Sequence, residues 1–221
     1  MKRFGFLIVF GLTGFAVLIG LGIWQVQRLD WKRGILAEIE AKIAAPEVGL
    51  PDAPDAETDK YLAVQVAGTI LPGELHVLVS RKNIGAGFRI IAPFETDGGR
   101  RILLDRGFVP AAQAKDTRSL GPVTVDGNLH WPDETDKYTP EPDLKANTWF
   151  ARDVPAMAAA LGTEPVLLVA RTDTGPSPMP VGTEGIPNDH LQYAITWFSL
   201  ALIWAAMTAF FLWRPGAPKN G

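Results

Sequence analysis

Only three side chains in this chain can serve as imidazole ligands, His76, His130 and His190, and there is no cysteine. His190 has the most unusual setting. It follows Asn188 and Asp189 and stands at the head of a run, 191–213, that has no charged residue. That run is long enough to cross a bilayer core of roughly 30 Å at about 1.5 Å per residue. An ionisable, metal-capable imidazole at the mouth of a membrane helix is a functional candidate. His76 and His130 fall in strand-like runs beside polar residues and read as surface or partly buried strand positions. Asp105-Arg106-Gly107 could pass for a charged catalytic pair. It reads better as a strand end where Asp and Arg pair along a sheet edge, with Gly107 placed for a bulge or close approach.

Other chemistries are excluded by what is missing. Without cysteine there are no disulfides, thiol redox steps, iron–sulfur clusters or cysteine zinc sites. Three histidines are too few for most multi-histidine metal centres. Neither common phosphate-binding glycine loop, nor a nucleophile elbow, nor a helical zinc-protease histidine pair is present. The net charge of −3 carries no nucleic-acid footprint. The chain is not expected to be an enzyme.

The elements that must position His190 begin with a second apolar span. Lys2 and Arg3 precede the uncharged run 4–27, which ends at Arg28. A signal peptide also pairs a basic start with an apolar core, but this core is long for one, and residues 24–27 (WQVQ) offer no small-residue cleavage site. The sequence therefore predicts an uncleaved transmembrane helix over 4–27, a strand-rich domain over 28–190 and a second transmembrane helix over 191–213. Both termini then share one side. Lys2, Arg3, Arg214 and Lys219 favour the cytoplasm for that side, while Arg28, Lys32 and Arg33 at the opposite mouth argue the other way. A large translocated domain is largely exempt from that count, so both termini are placed inside and the domain outside.

Between the spans, 30–44 has apolar residues at helical spacing and continues the first helix outward, with a weak point at Gly34. Residues 46–59 are acidic and proline-rich and form a loop. Strand character follows at 61–70, 75–81, 88–94, 102–109, 123–129 and 166–171. Asp97-Gly98-Gly99 reads as a hairpin turn, 133–147 as a surface loop, and 154–161 as a short helix closed by Gly162. Residues 172–188 are an extended lead into the second span. The expected fold is a membrane protein with N- and C-terminal transmembrane α-helices flanking an extramembrane α+β domain. That domain is built on a small antiparallel β-barrel or sandwich.

Three segments in order carry a family resemblance: 22–32 (GIWQVQRLDWK), 104–110 (LDRGFVP) and 187–198 (PNDHLQYAITWF). Together they resemble the Surfeit locus protein 1 family, membrane-bound assembly factors of haem–copper terminal oxidases. The likeness spans nearly the whole chain. At Phe108 the family more often has Trp; the exchange keeps an aromatic body and loses an indole N–H. The resemblance implies a role in maturing cytochrome c oxidase or a related quinol oxidase. Bacterial members are thought to bind haem a and to aid its delivery to the catalytic subunit. It implies that the oxidase catalytic subunit and the haem a synthesis machinery are partners, with membrane lipid as surroundings, and that His190 is the axial iron ligand.

Helical geometry adds a constellation to that implication. At 100° per residue, His190, Ala194, Trp197, Ala201 and Thr208 share one face of the second span, with Ala205 at its edge. On the first span Thr13, Ala16, Gly20, Trp24 and Gln27 share another, joined by Trp31 if the helix continues. Small residues Ala16/Gly20 and Ala201/Ala205/Ala209 predict close antiparallel packing. That packing would bring Trp24, Gln27 and Arg28 level with His190 and Trp197, and these five with Tyr193 are the candidate haem-binding residues. The indoles could contact a macrocycle, and Arg28 or Lys32 could pair with propionates. An interfacial belt of Trp24, Trp31, Tyr193 and Trp197 explains the aromatics equally well from chemistry alone. Two other functional readings stand beside haem contact: an assembly scaffold that holds an oxidase subunit without haem, and a membrane-anchored envelope sensor with a ligand-binding barrel.

Overall fold

The computed structural model describes residues 2–81 and 84–213. Arg214 and Lys219, two of the basic flanks, lie outside the described residues. The described residues fall into two compact units, 2–38 with 184–213, and 39–81 with 84–183.

The first unit is a helix pair. Helix α1 (Lys2–Ile43) runs 42 residues, and Gly34 does not break it. Its apolar part is long enough and hydrophobic enough to cross a membrane, as is α3 (His190–Trp213). The two are antiparallel, because Gln25 meets His190 while Gly11 meets Trp204 and Thr208. Most other large apolar side chains on both helices point outward, among them Phe6, Phe10, Leu12, Leu202, Phe210 and Phe211. Outward apolar surface on a helix pair suits lipid.

Packing puts α3 on the expected face: Ala194 and Ala201 are buried, and His190, Trp197, Ala205 and Thr208 are half-buried. For α1 the expectation fails. Thr13, Ala16, Gly20, Trp24, Gln27 and Trp31 are all exposed, and a Cβ on Gly20 would touch nothing. Contact falls on the opposite face, at Gly11, Gly14, Gly22, Gln25 and Leu29. Glycine is needed there because a Cβ on Gly11, Gly14 or Gly22 would run into Thr208, Trp204 or Phe198 respectively. The small-residue rule holds, with three different small residues.

The second unit is a barrel with an outer layer. Strands β1 (Ala63–Ile70), β3 (Gly85–Thr96), β4 (Arg101–Pro110), β5 (Gly121–Leu129) and β7 (Leu167–Ala170) pair in the ring β1-β5-β7-β4-β3, closed by β3 on β1. The small barrel read from the sequence is present, and its pairing is mixed: β4–β7 is parallel and the other four pairings in the ring are antiparallel. Strand β2 (Leu75–Arg81) extends the sheet from β3, and a two-residue β6 (Thr148–Trp149), absent from the sequence reading, pairs parallel to β2.

All five ring strands contribute to one apolar cluster that includes Val64, Phe94, Leu104, Val125 and Leu168, which fills the barrel. The opposite sheet face carries Ile91, Leu103, Leu167 and Val169, covered by Trp149 and by helix α2 (Val154–Leu161). Because both faces are covered, β4 is buried almost throughout rather than alternating. Each large side chain so enclosed contributes roughly 1.5–3 kcal/mol. Asp153 caps α2, accepting from Ala156 N at 3.0 Å, and Gly162 closes it with φ +64°. The Asp97-Gly98-Gly99 turn joins β3 to β4 as expected, with Gly99 at φ +80°.

Candidate functional site

His190 is the first residue of α3, and its half-buried ring is held from α1. Its Nδ1 lies 2.8 Å from Oε1 of Gln25, a side chain only 8% exposed. Among the described residues no hydrogen bond is made by Nε2. Nor do three potential ligands from His, Asp and Glu gather anywhere among them. A lone imidazole does not hold a bare divalent ion, which needs several protein ligands. It does suit an iron whose other positions come from a macrocycle, as haem iron is held by one or two axial side chains. The donor set therefore fits a haem better than a free metal.

The other predicted site residues are distributed unevenly. Trp197 shares the His190 face and is half-buried, so its indole lies along the helix contact. Tyr193 is exposed. Trp24 is 54% exposed and Gln27 and Arg28 are exposed, all off the face of α1 that meets α3. The Arg28 guanidinium sits 3.8 Å over the centre of the Trp31 ring, a cation–π contact at a helix mouth. The α1 residue that the structure brings to His190 is Gln25. A readable signal existed: of the two amides Gln25 and Gln27 in this run, Gln25 stands three residues after Gly22 and on the same face as it.

Along the same helix pair, on either side of the Gly11–Thr208 contact, lie two apolar grooves. One, of about 230 Å³, is lined by Phe10, Trp204 and Met207 among others. The other, of about 340 Å³, is lined by Leu12, Phe15 and Ala209 among others.

In the second unit the charged triplet of β4 is structural, though not at an edge. Strand β4 lies between β3 and β7, and Asp105 and Arg106 are both 0% exposed. They do not pair with each other. The register slips between Arg89 and Ile91, so β4 carries an extra residue in a bulge at this point. Gly107 allows it, with φ +108° and a path so close to the Ser177 backbone that a Cβ would collide. Asp105 instead faces Arg89, whose Nε lies 2.7 Å from Oδ2 but out of line for a hydrogen bond, and Arg152 at 3.5 Å. Arg152 continues to Glu134 at 2.5 Å. Two guanidinium groups are thereby balanced by two carboxylates.

Burial alone raises the Glu134 carboxyl, but the hydrogen bonds and charge of Arg152 outweigh it and hold it below its ordinary range. Arg106 donates to the carbonyl oxygens of Ser119 and Thr174 and ties two connecting segments to the barrel. His76 bonds to Glu74 at 2.8 Å. His130 packs against Tyr61 with the rings tilted by 36°, its Nδ1 is buried and unpartnered among the described residues, and burial followed by the charges of Arg152 and Lys60 lowers it to about 4. Both are strand-side residues of the kind expected. A surface cavity of about 220 Å³, lined by Asp136, Glu141, Trp149 and Asp153 among others, contains no histidine.

Comparison with known proteins places this arrangement. The family model described as the SURF1 family matches residues 12–202. A SURF1-like protein of Monosiga brevicollis is 33% identical, over 93% of this chain and 87% of that protein. The Surfeit locus protein 1 of Homo sapiens is 32% identical over 82% of this chain and 69% of its own length. That of Rattus norvegicus is 30% identical over 84% and 69%. The region matched by the family model includes the whole barrel and parts of both helices, 12–43 of α1 and 190–202 of α3.

Proposed function

This chain belongs to the SURF1 family, a family of cytochrome oxidase assembly factors, and from that premise we propose that it binds haem a through His190 and aids its delivery to the catalytic subunit of a haem–copper terminal oxidase. The observation that carries this reading is the held imidazole at the helix mouth, with Nδ1 on Gln25 and Nε2 left for a ligand. Haem is here a cargo, whose iron takes one axial nitrogen from the chain. Trp197, about two turns along the same helix face, supplies a flat apolar surface. Trp24, Gln27, Tyr193 and Arg28 stand exposed near the level of His190 but away from the helix contact, and Arg28 and Lys32 offer cations to propionates at the membrane surface. The surrounding lipid accepts a hydrophobic tail.

In this reading the chain works in the inner membrane of a bacterium, with both termini in the cytoplasm and the barrel in the periplasm. It acts as an assembly chaperone, receives haem from the synthesis machinery and meets the oxidase subunit. The test is the absorption spectrum of the detergent-purified chain from cells that make haem a. Haem bands are expected in the wild type, lost or shifted in His190→Ala and unchanged in His76→Ala and His130→Ala. Wild-type protein without haem, or an unaltered His190→Ala spectrum, overturns the ligand role and leaves the scaffold reading in its place.

A further inference from the structure

Gln25 reaches His190 from the other helix, at 2.8 Å between Oε1 and Nδ1. The amide oxygen of Gln25 only accepts, so Nδ1 carries the proton, and in the neutral ring Nε2 carries the lone pair. Free imidazole in water favours the opposite tautomer, with the proton on Nε2, where it blocks ligation. Gln25 is itself fixed: its side chain is buried, and it lies on the face of α1 where Gly22 lets Phe198 approach. The hydrogen bond is therefore an interhelical contact with a chemical consequence. It selects the tautomer able to bind iron and fixes the plane of the ring. Side chains that take the second N–H of a ligating histidine act in this way at metal centres.

We propose that Gln25 is a positioning residue for the haem site: it holds His190 as the Nδ1–H tautomer with Nε2 free. This rests on the haem reading for its purpose, but not for its first test. The chain has only three histidines, so nitrogen-15 ring spectra of the detergent-solubilised full chain can be assigned with His76→Ala, His130→Ala and His190→Ala. In wild-type protein without haem, the His190 ring should show a protonated Nδ1 and an unprotonated Nε2. Gln25→Leu should convert it to a mixture or to the Nε2–H form. Gln25→Glu keeps an acceptor of the same length and should restore the wild-type pattern.

The second test is titration with haemin. Gln25→Leu should weaken binding roughly tenfold or more and shift the Soret band, while Gln25→Glu should bind close to wild type. Restoration by Gln25→Glu separates tautomer control from lost packing. A His190 ring with Nε2 protonated in the wild type, or unchanged by Gln25→Leu, overturns the proposal even if haemin binds. If no variant binds haemin, the haem reading fails, and the ring spectra alone decide the role of Gln25.

Discussion

His130 makes the stability of the barrel unit depend on acidity. It directly follows β5, with its backbone N–H on Leu167, its ring on Tyr61 and its Nδ1 buried without a partner. Burial, then Arg152 and Lys60, lowers it to about 4 from the 6.5 of an unfolded chain. A depressed value means that the unfolded chain takes up a proton near pH 6.5 while the folded one refuses it until pH 4. Stability is thus whole above pH 6.5 and drains away as the pH falls through that window. At 1.36 kcal/mol per unit, the loss attributable to this one ring is about 3 kcal/mol by pH 4. His130→Phe keeps a flat ring against Tyr61 and removes the titration. Urea titrations of the detergent-solubilised chain, read by pulse proteolysis of residues 39–183, give the stability of both proteins. At pH 7.5 their difference reports only altered packing. By pH 4 the variant should have gained about 3 kcal/mol on wild type relative to that baseline. A difference that stays constant from pH 7.5 to 4 refutes the reasoning and means that the ring is charged in the folded state.

Three other outcomes follow from packing and topology. Gly22→Leu should drive a side chain into Phe198 and abolish crosslinking between cysteines placed in the two helices, whereas Gly20→Leu, facing open space, should leave it intact. Asp105→Ala should cost the barrel roughly 3–5 kcal/mol in urea titrations, because it strips the buried Arg89 of its carboxylate and Arg152 of one of two. A cytoplasm-active reporter fused at Gly221 and an export-active reporter near Asp136 should both be active; a reporter near Asp136 that works only in the cytoplasm reverses the proposed orientation.

How much of this was legible in the sequence follows from which physical signal each element carries. The strands could be read because apolar and β-branched runs alternate with glycine, proline and aspartate turns, and the Asp97-Gly98-Gly99 hairpin left little choice. Strand β6 could not, because two residues carry no periodicity and pair with β2 only through tertiary contact. The closed ring was an inference from strand number, but the parallel β4–β7 pairing was invisible, since it depends on the chain crossing over α2 before β7. The charged triplet was read correctly as structural at Gly107 and misplaced as an edge. Its two charges are satisfied by Arg89, Arg152, Ser119 and Thr174, all distant in sequence.

The two membrane helices show why one face was found and the other missed. On α3, Ala194, Trp197 and Ala201 line up below His190, so the polar residue and the small residues select the same stripe. On α1 small residues occur all round, at Gly5, Gly11, Gly14, Ala16, Gly20 and Gly22, so spacing alone permits several stripes. The tryptophans pulled the choice towards Trp24 and Trp31, yet in lipid an indole gains as much at the exposed interface as in a contact. An uncharged amide behaves differently. Gln25 shares a stripe with Gly11, Gly14 and Gly22 and pairs its polar atoms with the partner helix, whereas Gln27, two residues on, lies on the opposite face and stays exposed. The amide that shares its stripe with closely spaced glycines is therefore the better guide to the contact face, and here it leads to the imidazole that defines the site.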